Sequence, residues 1–541
     1  MPGPVSRRPE MRSHITKDGR RPRSAPDRAL PRLAVIVIIG ALASVGAAAD
    51  SPGLTTHENT LATVVVDGAS AYPAPRLFAA YRGQLGRPIS RDAARTIATA
   101  LVAMYERDGY LSPEVIVDDA HSGGGVLRLD VHEAQVTRVI LSGDSGRYRD
   151  ALEEIGARLE AARPLRKDDL PEALRAMRRI AGLSVSVTTR RDARVRNGFE
   201  LLVRAEFSAV QGMVRVNNRG TDQVGPEFLM GQLFLNGLWG RDQKLGLIFA
   251  SASDPWEYLG EGLYYDAALG QDGTRGNLLM FRSHSAPNER PVNYADEFLR
   301  ERAALRISHP LRQDQDFALN LGAALEADDL VVSAGGIGLR EERLRILETG
   351  VRAGWRGAAG FQYTANLQLR KGLNALGAGL QARDLVDDPR SADFQLAQLG
   401  GSAYRRFAAD WSVRVDAFAQ FTRDVLPDVE RFKIGGDRLG RGFEVAEIAG
   451  DRGLGGKLEL RRDLTRTDGA VGRLSAYGFY DIGAAWKNDL DERESAATAG
   501  TGLGIAGSAL SGYLEVAAPL TGADVEGKRR ASVFAEVSYR F

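Results

Sequence analysis

An alternation of apolar and polar residues that recurs along the C-terminal part of the chain constrains its fold more than any other feature. In the last nine residues, Val533, Ala535, Val537, Tyr539 and Phe541 fall on one face of a strand, and Glu536, Ser538 and Arg540 fall on the other. Trp411, Val413, Val415, Ala417, Ala419 and Phe421 oppose Ser412, Arg414, Asp416 and Gln420 in the same manner, and Thr364 to Arg370 alternates cleanly. Period two with one polar face is the mark of a sheet that meets lipid on one side and water on the other, as in a closed transmembrane barrel. A last strand ending on Tyr539 and Phe541 is the expected assembly signal of such a barrel, read by the barrel assembly machinery of an outer membrane.

The N-terminus agrees with export. A basic leader with Arg7, Arg8, Arg12, Lys17, Arg20, Arg21, Arg23, Arg28 and Arg32 precedes an apolar run from Leu33 to Val45 that closes on Ala47-Ala48-Ala49. Charged region, apolar region and small-residue site make residues 1–49 a signal peptide cut after Ala49; the alternative, a signal anchor, is disfavoured by the small residues that end the run. No other stretch approaches the roughly 20 apolar residues of a spanning helix. A mature chain that crosses a bilayer therefore does so with strands.

Composition narrows the function classes. The 61 glycines imply many turns, and 71 Lys plus Arg against 70 Asp plus Glu give no bulk charge with which to hold nucleic acid. Zero cysteines exclude disulfides, thiolate metal sites and a cysteine nucleophile.

Residues 50–60 form a short segment, after which two similar α/β units follow. In residues 61–134 a β-branched run from Leu61 to Val66 leads to a short helix over Arg76 to Gln84. A longer helix from Arg91 to Arg107 follows, capped by Ser90 and striped by Ala94, Ile97, Leu101 and Met104, and then strands at Val115–Val117 and Val126–Val131. Residues 135–207 repeat the order: strand Val136–Leu141, helices Tyr148–Ala162 and Asp168–Ala181, strands Leu183–Thr188 and Phe199–Phe207. The run Tyr105-Glu106-Arg107-Asp108-Gly109-Tyr110, with Val115-Ile116-Val117 and Leu127-Arg128-Leu129-Asp130-Val131-His132-Glu133, resembles the polypeptide-transport-associated (POTRA) domain of outer-membrane protein transporters. The resemblance implies two periplasmic modules, POTRA 1 and POTRA 2, that bind client chains at an exposed sheet edge.

Residues 208–541, 541 − 207 = 334 of them, are the expected barrel. At roughly 10 residues per strand plus a connection, between about twelve and eighteen antiparallel strands fit. Val214 to Gly220, Gly225-Pro226 and Leu235 to Leu245 resemble the first hairpin of two-partner secretion transporters, the ShlB/FhaC/HecB hemolysin secretion/activation family; Asn217-Asn218 stands where Asp-Asn is common. Downstream, Ile434-Gly435-Gly436 and Arg441-Gly442-Phe443 match that family's loop motif, and Phe479-Tyr480-Asp481-Ile482-Gly483 its F-x-D-x-G strand. The resemblance implies sixteen strands, a loop near 434–450 folded back into the lumen, and a pairing of Arg441 with Asp481, flanked by the strand motif residues Phe479 and Gly483. Strand parity independently makes Asp481 a lumenal acid, and a guanidinium between Gly440 and Gly442 needs a carboxylate partner because the glycines give it no cover. Some family members place a plugging helix before the first module; Asp50 to Thr60 leaves no room for one.

Motifs that imitate catalytic or cofactor sites fail in context. Gly143-Asp144-Ser145-Gly146 matches the surroundings of a protease serine but falls in a turn, and Gly502 to Gly507 fits G-x-G-x-x-G but reads as a strand. The six histidines lack metal-ligand spacing. The expectation is a non-enzyme without cofactor, metal or nucleic-acid partner. It is a monomeric transporter in the outer membrane of a Gram-negative bacterium that captures an unfolded exoprotein in the periplasm and secretes it through the barrel, with activation of the client as an extension. The alternative is an assembly factor that inserts other barrels, for which more than two modules would be expected.

Overall fold

The computed structural model describes residues 60–541 except 222–223, 241, 288–296, 315, 384–387, 467–471 and 523–529. The expected signal peptide and most of the short segment after it, expected to be too short for a plugging helix, lie outside the described residues.

Each N-terminal unit is a three-stranded sheet carrying two helices. In the first, Thr63–Asp67 pairs in parallel with Val126–His132, which pairs antiparallel with Glu114–Val117. Ser90 caps the helix Arg91–Arg107 by accepting the Ala93 amide, and the Ile97–Leu101–Met104 stripe packs on Leu127 and Leu129. Tyr105 is fully buried and donates to Glu133 at 2.5 Å; burial, then the Glu133 bond, push its phenol pKa well up. In the second unit the order is Gln135–Ser142, Gly198–Phe207, Leu183–Arg191, with helices Arg149–Ala161 and Asp169–Arg178 on one face. The units are coupled: the Leu111 amide donates to Leu165 at 3.0 Å, and Asn197 Nδ2 bridges the carbonyls of Ser112 (3.2 Å) and His132 (2.9 Å).

From Val210 onward the strands close into a barrel, the first (Val210–Asn217) pairing with the last (Ser532–Arg540). Seventeen barrel segments occupy sixteen positions, because Gly379–Ala382 continues the lane of Gln362–Gly372 along the same neighbour. Alternation is obeyed on the closed surface. Leu229, Leu247, Leu263, Met280, Leu305, Leu325, Leu347, Leu369, Leu399, Val415, Leu458, Ile482, Leu503, Leu514 and Val537 are exposed on the outside, an apolar band around the whole barrel. Among the described residues no helix is long and apolar enough to cross a membrane.

The two ends differ. At the end that meets the second α/β unit, Arg147 donates to the Gly237 carbonyl and Arg179 to that of Gln271. Aromatic pairs ring that end: Trp239 with Tyr265, Trp355 stacked on Tyr363, Phe407 on Trp411 and, at the end of the last strand, Tyr539 on Phe541. Such rings mark an interface between hydrocarbon and water. Toward the opposite end, the sixth to eighth strands (Glu297–Gln313, Phe317–Ala334, Ile337–Arg356) run to 17, 18 and 20 residues. Their outer face changes from apolar to charged at the register row Arg282, Glu301, Asp329, Arg343.

Candidate functional site

The segment joining the eleventh strand (Trp411–Thr422) to the twelfth (Arg452–Arg466) folds back into the barrel instead of leaving it. Its stem is a small antiparallel pair, Phe432–Ile434 with Ile448–Gly450. Its reversal needs glycine: Gly435 has φ +120°, and a Cβ there would stand 1.7 Å from the Glu444 carbonyl oxygen. Gly442 lies against the wall, where a Cβ would come within 2.9 Å of the Pro519 nitrogen and of Thr498. Phe443 joins Phe432, Ile434, Leu439 and Ile448 of the loop in a buried apolar cluster with Ala485 and Ala496 of the wall. Wall glycines make the sockets: a Cβ on Gly453 would meet the Phe432 ring at 2.0 Å, and one on Gly455 would meet Leu439 at 2.2 Å.

At the tip, Arg441 grips Asp481 edge to edge, Nη2 to Oδ1 at 2.8 Å and Nε to Oδ2 at 3.0 Å. The amides of Gly440 (3.3 Å) and Arg441 (3.1 Å) donate to the same carboxylate. Asp481 is 0% exposed and Arg441 6%, so the pair is buried. The thirteenth strand (Arg473–Lys487) presents three successive inward positions to the loop. Phe479 lies under the guanidinium, 3.5 Å from its Cζ, Asp481 takes its edge, and Gly483 admits Ile434 and Leu439 at 3.1 Å. Tyr539 and Phe541 sit apart on the outer surface, where Phe541 exchanges backbone hydrogen bonds with Gly212 at 2.9 and 3.1 Å.

The sequence reading did not name the rest of the network. Arg441 Nη1 also donates to Glu459 (3.2 Å) and Glu515 (3.3 Å). Glu515, 2% exposed, accepts as well from Arg219 Nη2 at 2.6 Å and the Tyr477 hydroxyl at 3.1 Å. The loop's roots are pinned separately. Glu430 receives Arg370 through two bonds at 2.9 and 2.8 Å, and fully buried Asp451 accepts the amides of Leu426 (2.8 Å) and Asn488 (2.7 Å). A readable signal did exist for the acids, since Leu458-Glu459-Leu460 and Leu514-Glu515-Val516 each place one acid between two lipid-type residues.

Among the described residues no three His, Asp or Glu side chains gather as a metal site. Gly143 to Ser145 form a turn with Ser145 buried, and Gly502 to Ala506 belong to the fourteenth strand. What the arrangement can do is hold, or release, a plug of folded chain within a pore.

Comparison with known proteins places this architecture. The outer membrane transporter CdiB of Dickeya dadantii (strain 3937) is 20% identical over 420 residues, 74% of this chain and 72% of that protein. The solved structure of CdiB from Escherichia coli superposes with a TM-score of 0.70 at 19% identity, covering 91% of this chain and 92% of that one. BamA from Haemophilus ducreyi lacking POTRA domains 1–3 matches with a TM-score of 0.50 at 13% identity, over 90% of this chain and 100% of that one. At these identities the structures speak for the fold alone. A profile of the haemolysin secretion/activation protein ShlB/FhaC/HecB family, however, matches residues 202–507, more than half of the chain. The chain is therefore a member of the ShlB/FhaC/HecB family, the outer-membrane β-barrel transporters of two-partner secretion.

Proposed function

We propose that this transporter captures an unfolded exoprotein on its two α/β modules and passes it as an extended chain through the barrel, with the modules in the periplasm and the Arg441 loop as the element that yields. The carrying observation is the loop itself: a buried, glycine-hinged plug held inside the lumen by a discrete set of ion pairs to the wall. A passive pore needs neither such a plug nor the modules. No nucleotide is available in the periplasm, so the free energy comes from the client, whose folding outside opposes its return. The last strand, with Tyr539 and Phe541, is read as the signal taken by the barrel assembly machinery.

The two edges of the second module differ in what they offer an extended client. In the second, the outer edge of Gln135–Ser142 is partly closed by Glu160, which accepts the Val139 amide at 2.6 Å. The opposite edge strand, Leu183–Arg191, pairs only with Gly198–Phe207 among the described residues, which leaves nine residues of backbone to receive another strand. The test uses the absence of native cysteine: single Cys residues from Ser184 to Arg190 carrying a photocrosslinker, in cells that coexpress the exoprotein. Crosslinks to the client along this strand are the expected result. Undiminished secretion with no crosslink at any of these positions would remove the capture assignment.

A further inference from the structure

The barrel closes on its weakest seam. First and last strands share five register partners, Met213 to Asn217 against Arg540 to Glu536, whereas the first and second strands share eight. Past Asn217 the ladder continues through a side chain: Asn218 Nδ2 donates to the Val533 carbonyl at 2.9 Å, and its Oδ1 accepts the Ala535 amide at 2.7 Å. The next residue, Arg219, turns inward and is 8% exposed.

Its guanidinium meets three elements at once. Nη2 donates to Glu515 at 2.6 Å and Nε to the Tyr513 hydroxyl at 2.7 Å, both on the fifteenth strand (Leu510–Pro519). The Phe534 ring of the last strand lies 4.0 Å below its Cζ. From the loop come Asp437, 2.5 Å from Nε, and the Arg441 carbonyl, 3.4 Å from Nη1. Glu515 is thus shared by two arginines, one rooted at the seam and one on the loop tip. A buried carboxylate keeps its charge only while cations compensate it, so removing either arginine changes the other's hold.

We infer that Arg219 is a positioning residue for transport: it fastens the lumenal loop to the closing seam, so that loop docking and seam tightness rise and fall together. The claim that this matters for secretion rests on the loop's proposed role; the mechanical link does not. Two reporters in the full-length, reconstituted protein separate them. Spin labels at Val216→Cys and Val537→Cys, register partners on the outer face, read the seam as a distance distribution. In separate samples, maleimide labelling of Ala496→Cys, a wall position 2% exposed under the loop, reads undocking. Arg219→Gln should broaden the seam distribution and speed labelling at least about tenfold, a shift of roughly 1.4 kcal/mol in the docking equilibrium. Arg219→Lys should restore part of both, because an ammonium can compensate Glu515 but cannot span Glu515 and Asp437 together. Arg441→Ala should loosen the seam by itself, and by less when Arg219 is already Gln. A seam unchanged in Arg219→Gln, or loosened equally by Arg441→Ala with and without Arg219, overturns the inference. Should Arg219→Gln fail to form a heat-modifiable folded barrel, Asp437→Asn on the exposed side of the loop replaces it, and an unaltered seam there overturns the inference equally. If both reporters respond while secretion stays normal, the mechanical link stands and the loop's role in transport falls.

Discussion

Replacing Arg441 by alanine tests the buried latch most directly. The side chain contributes two bonds to Asp481 and one each to Glu459 and Glu515, with the Phe479 ring against its face. Without it, the hydrogen bonds that a fully buried carboxylate keeps among the described residues are those of the two loop amides, and those leave when the loop does. Breaking a buried ion pair by removing one partner costs about 3–5 kcal/mol, against about 0–1 for a pair in water. At 1.36 kcal/mol per decade, the undocked fraction should rise roughly two hundred- to several thousand-fold. Ala496→Cys, labelled in outer-membrane vesicles with a water-soluble maleimide, reads that fraction as a rate when opening is fast relative to labelling. Folded barrel is verified by its heat-modifiable mobility, and secretion of the exoprotein should fall while insertion persists. An increase in labelling of no more than about fivefold would show that the pair behaves as a solvated one, and the reasoning from burial would be refuted.

Asp481→Asn keeps the shape but removes the charge that Arg441 pairs with, so labelling of Ala496→Cys should accelerate in the same direction as for Arg441→Ala. An unchanged rate would shift the holding role to Glu459 and Glu515. Gly435→Ala should undock or distort the loop, because its Cβ would overlap the Glu444 carbonyl and its φ of +120° is closed to alanine; strain of this kind costs at least about 1–3 kcal/mol, read by the same label. Removal of Phe541 deletes two backbone bonds to Gly212 at the seam and one ring of the Tyr539–Phe541 pair, and should lower the yield of heat-modifiable barrel in cells. Asn197→Ala removes both bonds that bridge Ser112 and His132 and places alanine at φ +52°; limited proteolysis between the two α/β units should speed up, with the barrel unaffected.

Local periodicity carried most of the fold. The stripe Ile97, Leu101, Met104 and the alternation around Leu369 and Val415 each depend on neighbours a few residues away, and each is visible in a short window. The strand number was not, since 334 residues accommodate several barrels and one lane is split between Gln362–Gly372 and Gly379–Ala382, a break no window reveals. Arg441 and Asp481 could be singled out because glycines isolate the one and parity places the other. Arg219 and Glu515 could not be joined: they lie 296 residues apart and meet only because the barrel closes. Closure is a property of the whole sheet, and contacts made by it leave no spacing in the sequence.

The unequal strand lengths leave the mouth of the barrel lopsided. Past the charged row at Arg343, the eighth strand climbs another six residues to Ile337, roughly 20 Å at about 3.3 Å per residue along the strand. On the flank formed by Val210–Asn217 and Ser532–Arg540, strands of 8 and 9 residues build no such height. The sixth to eighth strands stand as a parapet on one side of the opening, with a low sill opposite. Any chain leaving this opening would meet a wall on one flank and an open rim on the other, which gives the exit a direction.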